Sequence, residues 1–295
     1  MPELPEVETI KRQLAPLVEG RRLVAAEIRD ERWSDPLTPS ELAAALEGRR
    51  IEGLTRRGKY LLWSLEVDLF LAQHLSMTGS LLWNPAGEPQ HTRVLIHLEP
   101  RARLAITDPR RFGTGQLVLG TDALEAFFDA RLGLEPLDGR FTPEHLRAVA
   151  KGRRTPIKAM LLDQRRVAGV GNIYADEALY RARIHPLRPA GRLSAKQHAD
   201  LHRGLIEALL AGIGAKGASI DDFRHIDGVK GAFQDEFLVH RRQGEPCARC
   251  GHEIVKIVAA GRGTYVCERC QPRPRLSGRR ALGAGRSAGR TRSGR

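Results

Sequence analysis

CARCGHEIVKIVAAGRGTYVCERC, residues 247–270, contains all four cysteines of the chain, as two Cys-x2-Cys pairs separated by sixteen residues. Thiolates at this spacing fit one tetrahedral zinc ion held on two knuckles by Cys247, Cys250, Cys267 and Cys270. Four sulfurs fill the coordination shell, so the metal is structural and has no open position to activate water. Disulfides are the competing arrangement, but the amino terminus has no secretory pattern, and thiols persist in a reducing compartment. His252 is then surplus. Between the knuckles, VKIVAAGRGTYVC predicts a β-hairpin with Arg262 at its Gly-flanked tip. Such a hairpin can present an arginine to a DNA groove, although a solvated turn charge has the same sequence.

The segment upstream of this finger is helical. Thr142-Pro143, Thr155-Pro156 and Ser194 look like N-caps and predict helices over roughly 143–151, 156–164 and 195–213, with another beginning near Asn172. Glycines bracket the joint VAGVGN, residues 167–172. A tight turn entering a helix amino terminus offers backbone N–H groups to a phosphate, although such a sequence alone is more often a plain helix connection. The unit is a helix-two-turn-helix candidate.

Residues 21–119 have a different texture. The short apolar runs RLVAAEIR, YLLWSLEV, LFLAQHL, VLIHLE, RLAITD and GQLVL read mostly as strands, interrupted by one helix at 40–47 with Ser40 as N-cap. So many short strands predict a two-layer β-sandwich or flattened barrel. Before them, Val7, Ile10, Leu14 and Leu17 recur at helical spacing, with Pro5 opening the helix and Gly20 stopping it. The fold class is therefore α+β and multidomain. The divisions are a sandwich domain with flanking helices at 2–136, a helical domain at 137–234, the zinc finger at 235–271 and a basic tail at 272–295.

Forty-eight Lys and Arg against 35 Asp and Glu give a formal charge of +13, which favours a polyanionic partner. Eight arginines and no acid fall in residues 271–295. Gly, Ser, Pro and Arg build no core, so this tail is expected to be disordered and to add non-specific phosphate affinity at most. No apolar run approaches the ~20 residues that span a bilayer. A cytoplasmic, nucleoid-associated monomer without membrane contact is expected.

The chain opens MPELPE. A small second residue allows Met1 to be removed, which leaves Pro2 as a free secondary amine with a pKa of roughly 7.7–8.0. Such an amine can attack a sugar carbon to give an iminium ion, and Glu3 stands beside it as a proton donor. Taken alone, the dipeptide reads as an ordinary chain start in which Pro5 begins a helix, and the rest of the chain has to carry the chemistry.

Together these segments resemble the bacterial formamidopyrimidine-DNA glycosylases (MutM). PELPEVET, RRGKYLL around Lys59, HLSMTGSL around Met77, DPRRFG around Phe112, GVGNIYADE around Asn172 and GRGTYVCERCQ occur in the family's order and spacing, from residue 2 to about 271. Leu4 favours this branch over endonuclease VIII, which usually begins PEGPE. The resemblance implies excision of 8-oxoguanine and formamidopyrimidines from double-stranded DNA, followed by β,δ-elimination at the abasic site, with one structural Zn2+. It implies a catalytic set of Pro2, Glu3, Lys59 and Arg262, with Arg262 and Asn172 on phosphates. Met77, Arg110 and Phe112 would fill the gap left by a flipped base, and Ser219 lies in the loop that closes over the lesion. His74 is placed near phosphate, with a satisfied core histidine as the alternative. A glycosylase for oxidised pyrimidines and a non-catalytic zinc and helix-turn DNA-binding protein are the two competing classes.

Three departures from the family pattern stand out. Ser76 replaces a frequent Gly, and His240-Arg241 replaces Tyr-Gly. His240 can donate to a phosphate when protonated, whereas Arg241 is strained if its site needs positive φ. The third is the 217–234 loop, with its paired aspartates and Lys230.

Overall fold

The computed structural model describes residues 2–219 and 226–274. The expected tail from residue 275 onward and the middle of the 217–234 segment lie outside the described residues.

Eight strands form two four-stranded antiparallel sheets among the described residues of the first half. One has the order β1 (Leu23–Ile28), β6 (Thr92–Leu98), β7 (Ala102–Thr107), β5 (Ser80–Trp83). The other has the order β2 (Ile51–Arg57), β3 (Tyr60–Leu65), β4 (Leu69–His74), β8 (Thr114–Leu119). Their apolar faces share one core with Trp63, Leu71, Ile96 and Leu104. The expected two-layer sandwich is present. Two of its strands were not anticipated, because β2 is broken by Gly53 and carries four polar side chains, and β5 is only four residues long.

Helices α2 (Glu31–Ser34), α3 (Pro39–Leu46) and α4 (Thr121–Asp129) flank the sheets. The cap of α3 is Thr38 and not Ser40. The Glu41 N–H donates to Thr38 Oγ1 at 3.3 Å and the Thr38 N–H to the Glu41 carboxylate at 2.8 Å, so a capping box begins the helix two residues earlier. Helix α4 has Gly120 as its N-cap and no side-chain cap, so it carried no start signal.

The second half contains α5 (Pro143–Ala150), α6 (Ile157–Leu162), α7 (Asn172–Arg181) and α8 (Ala195–Gly214). Thr142 and Ser194 cap as expected. Thr155 does not: Pro156 occupies the N-cap of a shorter α6 without a side-chain bond. The finger hairpin pairs β9 (Val255–Ala259) with β10 (Arg262–Val266).

The first helix, α1 (Leu4–Val18), joins the two halves. Val7, Ile10, Leu14 and Val18 are fully buried in the sandwich core, each contributing about 2 kcal/mol, whereas Leu4 belongs to the core of the helical domain. Residues 2 and 3 therefore lie on the seam between the cores.

Candidate active site

The segment before α1 is fixed by the loop that enters α7. The Leu4 N–H donates to Gly169 O at 3.0 Å. Glu3 is 2% exposed, and its carboxylate accepts from the N–H groups of Ile173 at 2.9 Å and Tyr174 at 3.4 Å. Two glycines make this approach possible. A Cβ at Gly171 would lie 2.3 Å from Glu3 Cδ, and one at Gly169, where φ is +85°, would lie 2.6 Å from Leu4 Cδ1. The sequence suggested a phosphate for these donors. An internal carboxylate takes that place, drawn by the same partial positive charge of a helix start.

Glu6 lies behind this pair. Its carboxylate accepts from the Glu3 N–H at 2.8 Å, the Tyr174 hydroxyl at 2.7 Å and the Ala218 N–H at 2.8 Å. Burial, then the nearby Glu3 charge, pushes its pKa up, and the three donors only partly oppose this. Ala218 is the second residue of the segment implied to close over a lesion. Ser219 holds that segment's two ends together: its N–H donates to Gln234 Oε1 at 2.9 Å and its Oγ accepts from the Gly231 N–H at 2.9 Å.

Lys59 occupies the two-residue turn between β2 and β3, where Gly58 takes φ +61°. Arg56 and Glu135 brace the turn, Arg56 through Gly58 O at 2.9 Å and Glu135 through the Gly58 N–H at 2.6 Å. Lys59 is 6% exposed, and burial lowers the pKa of its amine, with Glu3 pulling it up and Arg262 pushing it further down. Residues from the amino terminus, the sandwich and the finger thus share one electrostatic site. His74, at the end of β4, contacts the Tyr60 ring at 4.7 Å and accepts the Ser76 N–H on Nδ1 at 3.0 Å. Burial and then Lys59 lower its pKa to about 4, so it is neutral at pH 7 with its proton on Nε2.

Met77, Arg110 and Phe112 are brought together by Asp108, which the sequence reading passed over. Asp108 accepts from the Thr78 hydroxyl beside Met77, and from the N–H groups of Arg110 at 3.2 Å, Phe112 at 2.8 Å and Gly113 at 2.7 Å. Arg111 reaches back to Asp30 through two bonds of 2.7 Å. Phe112 remains 51% exposed, with the Arg110 guanidinium 4.9 Å from its ring. Ser76 sits at φ +56°, as a residue standing where glycine is frequent would.

Asn172 Nδ2 donates to Gly263 O at 3.1 Å, so this side chain meets the finger hairpin. A buried chain continues the contact: Lys158 Nζ lies 2.6 Å from Asp176 and 2.7 Å from the Thr264 hydroxyl, which itself donates to Arg262 O at 3.0 Å. His240 Nδ1 meets the other Asp176 oxygen at 2.8 Å, so its ring is held by an internal carboxylate. Arg241 stands at φ +59°, the strained conformation that its replacement of glycine implied. The four cysteine sulfurs lie within 4.8 Å of one another, with Cys250 and Cys267 at 3.5 Å and Cys247 and Cys270 at 3.9 Å. None is disulfide-bonded. Zn–S bonds of about 2.3 Å in a tetrahedron need S···S edges of about 3.8 Å, which this cluster accommodates. His252 contributes its carbonyl to the Cys247 N–H.

Glu6, Asp108, Lys158 and Asp176 support the site and were missed. Glu6, Asp108 and Asp176 stand inside quoted motifs. Lys158 stands in none, and one lysine at a helix start usually faces water.

Comparison with known proteins places these features in one family. Residues 1–115 match the formamidopyrimidine-DNA glycosylase N-terminal domain, residues 132–224 its H2TH domain, and residues 244–273 the zinc finger found in FPG and IleRS. The formamidopyrimidine-DNA glycosylase of Roseiflexus sp. is 44% identical over 92% of this chain and 100% of its own length, and that of Chloroflexus aurantiacus is 46% identical over 92% and 98%. The crystal structure of Thermus thermophilus MutM superposes with a TM-score of 0.83 at 44% identity, covering 92% of this chain and 98% of that one. A Lactococcus lactis Fpg complexed with abasic-site DNA gives 0.85 at 35% identity, covering 92% and 100%. Motif order, fold and site geometry converge with these matches: the chain belongs to the formamidopyrimidine-DNA glycosylase family.

Proposed function

We propose that this chain excises oxidised purines, 8-oxoguanine and formamidopyrimidines, from duplex DNA and then cleaves the abasic site. The observation that carries this is the convergence of Glu3, Lys59 and Arg262, from three separate parts of the chain, next to Pro2. Complexes of Lactococcus lactis Fpg with Fapy-dG DNA and abasic-site DNA support it.

With Met1 removed, the Pro2 nitrogen attacks C1′, the glycosidic bond breaks and the base leaves as an anion that takes a proton from water. The Glu3 carboxylate takes the proton that the Pro2 nitrogen loses and delivers it to the ring oxygen as the sugar opens, giving a Pro2 iminium. The iminium acidifies C2′, and loss of that proton expels the 3′ phosphate; a second elimination expels the 5′ phosphate. Lys59, Asn172 and Arg262 hold phosphates, with His74 Nε2–H as a further donor. Met77 and Phe112 wedge the stack open and Arg110 pairs with the orphaned base, offsetting the few kcal/mol of unstacking. Ser219 anchors the lesion loop. Zinc, held by Cys247, Cys250, Cys267 and Cys270, supplies folding of the hairpin alone.

We divide the chain into a catalytic domain at 2–136, a helix-two-turn-helix domain at 137–234, a finger at 235–271 and a tail beyond, and assign it to the cytoplasmic nucleoid as a monomer. No helix among the described residues is long and apolar enough to cross a membrane.

Borohydride reduction during turnover of an 8-oxoguanine duplex tests the chemistry. A covalent adduct whose mass places DNA on Pro2 is expected, and a fully active protein that retains Met1 would defeat the proposal. Oxidised pyrimidines are the second reading, since a Lactococcus lactis Fpg complex contains one. Side-by-side turnover of 8-oxoguanine and thymine-glycol duplexes separates the two.

A further inference from the structure

Two loops of the helical domain and the chain leaving the finger enclose a cleft of about 990 Å3. Arg153 and Arg154 line it from the α5–α6 connection, Arg188 and Arg192 from the α7–α8 connection, and Arg273 from beyond the finger, with no carboxylate among the lining residues. Arg153 Nε donates to Val149 O at 2.7 Å and Arg273 pairs with Glu268. The guanidinium groups of Arg154, Arg188 and Arg192 have no hydrogen bond or ion pair among the described residues.

The concavity is built into the backbone. The Ala190 N–H donates to Thr155 O at 2.9 Å, the Gly191 N–H to Arg153 O at 3.0 Å and the Ile157 N–H to Arg188 O at 2.7 Å. A Cβ at Gly191 would lie 2.8 Å from Arg153 N, so a glycine is needed for the loops to stack this closely. Gln271 Nε2 donates to Ile184 O at 2.9 Å, which brings Arg273 to the rim. None of the lining residues belongs to the candidate active site.

The geometry points to a second DNA-binding surface: the arginine cleft holds the phosphates of a duplex segment other than the one whose lesion occupies the active site. This takes duplex DNA from the proposed function and adds a separate place to bind it. Guanidinium groups that converge without counter-charge repel one another, and phosphate oxygens relieve that repulsion with paired hydrogen bonds. Residues 275–295, with seven further arginines and no acid, continue from the rim. A long polyanion presents further segments of itself at high local concentration.

The test uses the full chain cross-linked by borohydride to a short abasic-site duplex, which fills the active site, and titrates it with a fluorescent undamaged duplex. The cross-link is read on a denaturing gel, so failure of the lesion chemistry is seen separately; the titration then uses free protein, with bound duplexes counted by native mass spectrometry. Wild type is expected to bind a second duplex. An Arg154→Gln, Arg188→Gln, Arg192→Gln variant is expected to bind it more weakly, with a log affinity against log salt slope shallower by about 2.7 for three lost phosphate contacts. Its melting temperature and single-turnover cleavage of a short lesion duplex should be unchanged. No second duplex on wild type at about 50 mM salt would overturn the proposal. So would a variant that binds as wild type does while truncation after Pro274 abolishes binding, because the tail alone would then be responsible. A parallel loss of short-duplex cleavage would overturn it too, by assigning the cleft to the lesion surface.

Discussion

The active-site mouth and the zinc finger are assembled in opposite ways. Every finger ligand lies within residues 247–270, and one ion ties them together. In the mouth, Glu3 is bonded to Ile173 and Tyr174, some 170 positions away, and Lys59 feels Glu3 and Arg262. The finger draws its order from local coordination. The mouth draws its order from two cores meeting at α1, and it keeps buried charges in place through backbone donors and glycine gaps. Damage to the mouth should therefore impair chemistry at a nearly intact fold, whereas damage to the finger should impair binding.

The largest effect is expected at Glu3. Glu3→Gln should lower the single-turnover glycosylase rate about 10²- to 10⁴-fold, the range for loss of a positioned proton donor, whereas Pro2→Gly, which still offers an amine, should lose less. Circular dichroism should show both variants folded. A Glu3→Gln protein with near-normal base release would remove the mouth's claim to the chemistry.

Zinc removal comes next and should act on the mouth only through Arg262, leaving Pro2 and the Glu3 bonds to α7 in place. Four thiolates on zinc contribute folding free energy to the hairpin, so chelation releases Arg262 and Thr264. A charged hydrogen bond is worth roughly 1.5–3 kcal/mol, and losing Arg262 alone should weaken lesion-duplex binding about ten- to a hundredfold. Fluorescence anisotropy with and without chelator measures this. Unchanged affinity in zinc-free protein would mean that the finger takes no part in DNA binding.

Gly171→Ala sharpens the contrast, because it alters no charge. The added methyl would overlap Glu3 Cδ and displace the carboxylate from the start of α7. A shift of about 1 Å at a reacting group can cost about a hundredfold, so the single-turnover rate should fall by that order with modest change in affinity. Loss of affinity without loss of rate would contradict the role given to Gly171.

The smallest effect concerns His74, whose folded pKa of about 4 lies below its unfolded value near 6.5. Below pH 6.5 the unfolded chain binds a proton that the folded one refuses. The stability contribution is therefore complete above pH 6.5 and is lost as the pH falls toward 4. Between pH 7 and 5 the loss is about 2 kcal/mol. Urea unfolding of wild type and His74→Phe at the two pH values tests it, and equal declines in both would show that His74 is not buried as described.

Local signals carried much of this outcome. The finger, its hairpin, the caps Thr142 and Ser194 and the sandwich texture all rest on residue types within one turn or one strand of each other, although the hairpin turn falls at Ala260-Gly261 and Arg262, expected at the tip, opens β10. Signals failed where an element lacked its own mark. Helix α4 starts from a glycine without a cap bond, and Thr38 outcompetes Ser40 because its Glu41 partner completes a box.

The sequence by itself determined the family and the four clustered cysteines, and it marked Pro2, Glu3, Lys59, Met77, Arg110, Phe112, Asn172 and Arg262 as the candidates the proposed function rests on, because each sits in a contiguous motif. Only the tertiary structure decided what occupies the amino terminus of α7. Its N–H donors accept any anion, and folding brings the chain's own Glu3 there. It likewise decided that Asp108 ties the wedge loops together and that Lys158, Asp176 and His240 form a buried link to the finger. Such groups become partners only when long-range packing removes water from them, and burial between distant segments leaves no periodicity or spacing in the sequence.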